Sequence, residues 1–344
     1  MNIAFIGFGG VGQALAKLLV EEKKKLEKLY SLQPVVVSVC DKKKGSVYHP
    51  EGLNIEKVLQ VVNDTGNVEN YPNTPGLIKG WDSMKTIKNS NADMIVEVTY
   101  TDVKTGQPAI DHCRTAFKQK KSVVTTNKGP VAIAYKELSD LAKKNDVFFG
   151  FEGTVMSGTP ALRMPTVTLA GNDISEIKGI LNGTTNFILT EMEQGHSYED
   201  SLLKAQKLGY AEADPTSDVQ GYDARYKAVI LANYIMGGEI VTEDVTCMGI
   251  TDLNEKMVQE ALRKKKKWKL LARIKKENGN VIASVKPELL DENDPLASVT
   301  GATNAIMYDC DLAGPIFLSG AGAGLVETGY SLLIDIINYQ WQYK

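Results

Sequence analysis

Apolar and polar positions alternate along the first half of the chain with two different periods. Short apolar runs, IAFIG near the start and then VVVSVC, MIVEVT, SVVTT and VFFGFEG, are separated by stretches patterned for amphipathic helices at about 11–29, 54–63, 107–118 and 130–144. Near-continuous Val, Ile and Phe between helices predicts parallel strands buried on both faces, because crossover helices keep water from either side. The expected fold class is α/β, a doubly wound parallel sheet.

After Gly153 the rhythm changes. SEIKGILN predicts a strand, residues 184–194 a helix, and Ser197 with Asp200 three residues later a capped helix start. WKLLARI, VIASVKP, TNAIMYD and PIFLS follow with few helical stretches between them, which predicts a mostly antiparallel sheet in an α+β domain. Such a sheet leaves one face available for dimerisation. The closing GAGAGLVETGYSLLIDIINY gives a glycine-rich turn and an apolar helix, expected to pack back on the first domain. The expected domains are 1–150, completed by the C-terminal helix at about 320–344, and 151–319.

Length agrees with this division, since 344 residues exceed what one hydrophobic core usually serves. A net charge of -3 gives no reason to expect a nucleic-acid partner, and the basic run at 263–267 reads as a solvated helix end. The expected partner is a small molecule. Cys40, Cys113, Cys247 and Cys310 lack CxxC spacing, which argues against a zinc site and fits a reducing compartment. The first residues show no basic leader or cleavage site, and no apolar run is long enough to span a bilayer. A cytoplasmic location without a membrane partner is expected.

Three groups of residues carry candidate chemistry. Gly7, Gly9 and Gly12 in GFGGVG have the G-x-G-x-x-G spacing directly after a predicted strand and at the start of a predicted helix. Gly7 permits the tight turn, Gly9 lets backbone approach a pyrophosphate, and Gly12 allows close helix packing, with Phe8, Gly10 and Val11 completing the loop. The second strand ends at Asp41, which suits the ribose of NAD, but Lys42, Lys43 and Lys44 follow and favour the 2′-phosphate of NADP. NADP is the expected cofactor, with NAD as the alternative.

Thr99 and Lys128 follow the C-terminal ends of predicted parallel strands, the ligand side of an open α/β sheet. A lysine at a helix N-terminus is poorly placed against the helix dipole, so Lys128 is assigned to the site. In LGYAEADPTSDVQGYDARYK, Asp223 and Lys227 stand at i and i+4. Exposed, such a pair is worth only ~0.3–0.5 kcal/mol. Facing a cleft, the ammonium can relay a proton to or from an alcohol, while Glu212 and Asp214 offer anionic contacts for a cationic substrate. His49, His112 and His196 lie in no suggestive context, which leaves the chemistry to lysine and carboxylate.

The stretch AQKLGYAEADPTSDVQGYDARYK resembles the signature of the homoserine dehydrogenase family, with Gly209, Asp214, Pro215, Asp218, Gly221, Asp223 and Lys227 at the family spacing. The resemblance extends to GFGGVG, TTNKGP, FEGTVMSGTP, ILNGTTNFIL and GAGAG, and so covers essentially the whole chain. It implies a Rossmann-type NAD(P) domain beside an α+β substrate and dimerisation domain. The implied reaction is reversible oxidation of L-homoserine to L-aspartate 4-semialdehyde, on the way to threonine and methionine. By motif, Lys227 is the proton donor or acceptor, Asp223 orients it and touches substrate, and Glu212 holds substrate. Lys128 matches the family's second lysine, between cofactor and substrate, and Thr99 and Gly324 match cofactor contacts. Glu152, Val155, Ser157 and Thr159 match a sodium site built largely from main-chain carbonyls, oxygen ligands that suit a hard cation.

A homodimer is also implied, in a monofunctional form without an aspartokinase or C-terminal regulatory domain. One departure remains, Lys42 standing where some relatives carry arginine; Asp218 matches the signature and is given only the expectation of capping the helix that carries Asp223 and Lys227. Aspartate semialdehyde dehydrogenase is a rival, but it needs an activated cysteine. A catalytically silent NAD(P)-binding or redox-sensing protein is the alternative from another class.

Overall fold

The computed structural model describes residues 1–102 and 104–343. The chain divides into two compact units, Met1–Gly158 with Gly324–Lys344, and Thr159–Ala323.

In the first unit a seven-stranded sheet is built from β1 (Asn2–Ile6), β2 (Val35–Asp41), β3 (Gly45–Tyr48), β4 (Ile78–Lys79), β5 (Met94–Glu97), β6 (Ser122–Thr125) and β7 (Phe149–Gly150), in the order β4-β3-β2-β1-β5-β6-β7. The five strands from β2 to β7 across β1 run parallel, and β3 and β4 add an antiparallel edge that the apolar pattern did not announce because each is short. Alternation sorts the strand residues: Ile3, Phe5, Val36 and Val39 enter one core, and Ala4, Ile6, Val37 and Cys40 the other. Both faces are therefore covered, as parallel strands require.

The stretch expected as one helix over 11–29 is two, Gly10–Glu21 and Lys23–Tyr30, with Glu22 outside helical geometry. The break turns Leu26 into the core, where it is 2% exposed. The C-terminal helix Leu325–Tyr343 belongs to this unit and buries Leu332, Leu333, Ile336 and Ile337 in the same core as β1. Each such side chain contributes about 1.5–3 kcal/mol. The chain leaves β1 for β2 on one side and reaches β5 on the other, so a topological switch point lies at the C-terminal ends of β1 and β5.

The second unit carries β8 (Ile174–Ile180), β9 (Thr246–Cys247), β10 (Lys266–Glu277), β11 (Asn280–Asp291), β12 (Thr303–Cys310) and β13 (Gly314–Ala321), in the order β13-β12-β8-β10-β11-β9. All pairings are antiparallel except β11 with β9. The β10–β11 hairpin turns at Asn278 and Gly279, φ 51° and 82°, the two positive angles that a tight right-twisted hairpin demands. Helices Gly183–Glu193, Tyr222–Tyr234 and Glu255–Arg263 pack on these strands. The basic run at 263–267 forms the end of the last of these helices and the start of β10.

No helix among the described residues is long and apolar enough to cross a membrane.

Candidate active site

The cofactor half of the site begins at the turn after β1. Gly7 has φ +95°, and a Cβ there would run into the Val98 carbonyl and lie 2.8 Å from the Thr99 nitrogen. At Gly12 a Cβ would stand 2.9 Å from the Gly7 carbonyl, whereas at Gly9 it would meet nothing within 4 Å. Two glycines are thus demanded by the fold, and the third leaves open space beside the backbone. Helix Gly10–Glu21 begins with neither a side-chain cap nor an acidic residue in its first turn. Its uncapped N–H groups and positive dipole end suit a pyrophosphate.

Phe8 is placed differently from its neighbours. Its ring is buried 5.5 Å from Phe5, its N–H donates to Asp41 Oδ2 at 2.7 Å, and its carbonyl accepts from Gln13 at 3.0 Å. Its polar groups are already engaged, so the N–H groups left without a helical acceptor are those of Gly10, Val11 and Gly12 in the first turn. Asp41 also accepts from the N–H groups of Lys43 and Lys44, at 2.8 and 3.0 Å. Burial would raise its carboxyl, but these three donors outweigh it and hold the group below the ordinary range. Lys42 and Lys43 are exposed beside it.

Thr99 follows β5, and Lys128 opens helix Lys128–Lys144, two residues earlier than expected, with Asn127 as its cap residue. The turn before the C-terminal helix joins the same region: Leu325 Cδ2 would lie 2.8 Å from a Cβ on Gly10, and Gly324 has φ +130°. The first unit therefore gathers Gly7 to Gly12, Asp41, Thr99 and Gly324 around the switch point.

In the second unit Lys227, 6% exposed, donates to Asp223 Oδ2 at 2.7 Å and to the Leu181 carbonyl at 2.6 Å. Lys227 is buried and Asp223 half-buried, so the pair is not an exposed surface one. Asn182 supplies the link that sequence spacing concealed. Its Nδ2 donates to Asp223 Oδ2 at 3.0 Å and to Asp218 Oδ1 at 2.7 Å, while its Oδ1 accepts from the Thr185 N–H at 2.9 Å and caps helix Gly183–Glu193. A signal existed in Asn-Gly-Thr-Thr before an apolar helix, a common cap pattern.

The capping role expected of Asp218 is not what the structure shows. Helix Tyr222–Tyr234 starts at Gly221, φ 80°, with no side-chain cap, and the Asp218 carboxylate turns to Asn182 instead. Burial raises its carboxyl above the ordinary 3.8, and the nearby Asp223 adds to this, outweighing Asn182 and Lys227. A raised value in the folded state means that the native protein holds the proton longer than the unfolded chain. Its stability therefore falls as pH rises from 3.8 through the folded value. Asp218→Asn, which keeps an acceptor for Asn182, should melt higher than wild type at pH 7 and equally near pH 3. An equal or lower melting temperature at pH 7 would contradict this.

Glu212 and Asp214 are both exposed. The Glu212 loop is tied down by Thr184 Oγ1, which donates to the Tyr210 carbonyl at 2.5 Å, and by Gln206, which donates to the Glu212 carbonyl at 3.1 Å. Asp214 accepts from Thr216, and this holds its carboxyl below the ordinary range. Its bond opens the short helix Thr216–Val219, which is a structural task.

Glu152, Val155 and Ser157 lie buried along the turn Gly153–Met156 in the first unit, with Ser157 at φ 51°. Thr159 is the first residue of the second unit and donates to the Ala321 carbonyl at 3.0 Å. All four cysteines are free, and burial raises each thiol, Cys40 to about 11. A thiol raised by burial is a poor nucleophile, which removes the rival reading that needs one.

Residues 160–337 match the family model for homoserine dehydrogenase, and residues 7–152 that for the homoserine dehydrogenase NAD binding domain. The chain is 42% identical over 338 residues to the NAD(+)-dependent homoserine dehydrogenase of Pseudomonas canavaninivorans, covering 98% of this chain and 95% of that one. It is 41% identical over 339 residues to the homoserine dehydrogenase of Methanocaldococcus jannaschii, covering 98% of each. A solved hyperthermophilic archaeal homoserine dehydrogenase in complex with NADPH matches with a TM-score of 0.83 at 29% identity, over 100% of this chain and 98% of that one.

Proposed function

The chain belongs to the homoserine dehydrogenase family, and from that premise we propose how its residues divide the reversible oxidation of L-homoserine to L-aspartate 4-semialdehyde. The observation that carries the assignment is the buried Lys227 ammonium held by Asp223. When bound, the nicotinamide supplies hydride transfer. Lys227 moves the proton at the substrate oxygen and, in the reducing direction, stabilises the negative charge that develops there. Asp223 orients Lys227 and touches substrate, with Lys128 as a second cationic group. Glu212 holds the substrate ammonium, and Asp214 is a weaker candidate because Thr216 occupies it. Glu212→Ala should raise KM for homoserine about tenfold or more, the loss expected for one charge-assisted contact, with a smaller change in kcat. An unchanged KM would remove Glu212 from the substrate site.

Gly7, Gly9, Gly10, Val11, Gly12, Thr99 and Gly324 form the cofactor contacts in this reading. NADP is the assigned coenzyme because Lys42 and Lys43 stand exposed beside the end of β2, where a 2′-phosphate would fall. NAD is the second reading, favoured by the Asp41 carboxylate at the same place and by the NAD(+)-dependent relative. Lys42→Ala should lower kcat/KM for NADP about five- to tenfold and leave that for NAD unchanged. The same ratio of the two in mutant and wild type would end the role given to Lys42.

A sodium ion is assigned to the carbonyls of Glu152, Val155 and Ser157, oxygen ligands of the kind that suit a hard cation. Thr159 is assigned as the fourth contributor. Equal melting temperatures in sodium and in a large organic cation at matched ionic strength would count against this site. The homodimer is assigned to the second sheet, where Arg273 of β10 bridges Glu176 of β8 and Glu288 of β11 and where β13 leaves Phe317 40% exposed. Light scattering at a monomer's mass would exclude it. A cytoplasmic location accords with four free thiols, and cell fractionation tests it.

A further inference from the structure

β5 ends in a charged residue that the apolar pattern gives no reason to expect. Glu97 is 0% exposed and closes the run MIVE at the ligand end of the sheet. A carboxyl so buried is costly unless it is satisfied, and it is satisfied from several directions. Thr99 donates its hydroxyl at 2.5 Å and its N–H at 3.4 Å, and Thr125 Oγ1 lies 3.4 Å away. Asn127 Nδ2 donates to the second oxygen, and His112 Nδ1 lies 3.1 Å from the first. Behind it, His112 Nε2 meets Ser83 Oγ at 2.8 Å.

These donors come from the loop after β5, the end of β6, the cap of the helix that Lys128 opens, and helix Ala109–Lys118. Asn127 also donates to the Thr99 carbonyl at 2.9 Å, so the two loops are tied to each other as well as to Glu97. The Thr99 hydroxyl, which a sequence reading offers to the cofactor, is spent on Glu97. With that proton engaged, the Thr99 oxygen can still meet a ligand as an acceptor.

Resting on the assignment of Thr99 and the glycine loop to the cofactor, we infer that Glu97, held by His112, is a positioning residue that fixes the Thr99 loop and the start of the Lys128 helix in their cofactor-binding arrangement. A merely space-filling pair would not distinguish which donor His112 provides. Asparagine places its amide nitrogen where Nδ1 stands and keeps the contact to Glu97, whereas glutamine reaches the Nε2 position and keeps only Ser83.

The test measures reduced-cofactor affinity by fluorescence titration, with melting temperatures, for Glu97→Gln, His112→Asn, His112→Gln and Gly7→Ala. Glu97→Gln puts an amide donor among donors and should raise Kd about tenfold, His112→Gln should raise it severalfold, and His112→Asn should stay within about twofold of wild type. Wild-type affinity in Glu97→Gln overturns the inference. So does an equal loss in both His112 variants that follows their loss of melting temperature. Should Glu97→Gln fail to fold, the His112 pair decides alone. If Gly7→Ala binds cofactor normally, the cofactor reading has failed. If Gly7→Ala loses affinity and Glu97→Gln does not, only the positioning role has failed.

Discussion

Lys227→Ala should lower kcat by about 10²–10⁴-fold, the range that positioned proton transfer contributes, while the Kd for reduced cofactor changes by less than about twofold. The chemistry needs one proton moved at the substrate oxygen, and Lys227 is the ammonium that its own unit holds with a carboxylate and a carbonyl, at 2.7 and 2.6 Å. Truncation leaves Asp223 beside Asp218 without the cation, so stability should fall as well. Loss of turnover therefore needs a control. Lys227→Arg keeps the charge and so should melt closer to wild type, yet remain inactive, since arginine does not give up its proton in proteins and presents a planar fork where a point charge is required. Wild-type turnover in either variant would exclude Lys227 from the mechanism.

Gly7→Ala should damage fold and cofactor binding together. A residue with a side chain at φ +95° carries strain of about 1–3 kcal/mol, and the atom in its way is the Val98 carbonyl, main chain that cannot rotate aside. Moving it displaces Thr99. The melting temperature should fall by several degrees, and cofactor Kd should rise at least about tenfold. Gly9→Ala is the informative partner. A Cβ there meets nothing within 4 Å, so the melting temperature should hold while cofactor affinity drops. If Gly9→Ala binds as wild type does, the pyrophosphate does not approach the backbone at Gly9.

What could be read from sequence was local. The glycine spacing follows directly on a strand and opens a helix, and the Asp223–Lys227 spacing of about one helical turn is a property of five successive residues. The alternation of buried runs with helical stretches made the parallel sheet legible, and the change of rhythm after Gly153 marked the antiparallel one. The bridge from Asn182 to Asp218 and Asp223 was hidden because it spans 36 and 41 residues, and nothing in the acidic stretch points toward it. Proximity to a helix suggests a cap for Asp218, whereas folding supplies a better donor, Asn182, from another element. His112 is hidden for the same reason: 15 residues separate it from Glu97, and only the packing of a helix on β5 brings them together. The edge strands β3 and β4, four and two residues long, are too short to leave a pattern.

The account turns on one reaction, and one assay reaches it directly: titrating L-homoserine into the wild-type chain saturated with NADP, and in parallel with NAD, while following the absorbance of the reduced cofactor and identifying the product by mass. The expected result is saturable, homoserine-dependent cofactor reduction, with L-aspartate 4-semialdehyde formed in equal amount and the reaction reversed when semialdehyde and reduced cofactor are supplied. Clear cofactor binding with no homoserine-dependent rate for either coenzyme would contradict it and leave a catalytically silent dinucleotide-binding protein.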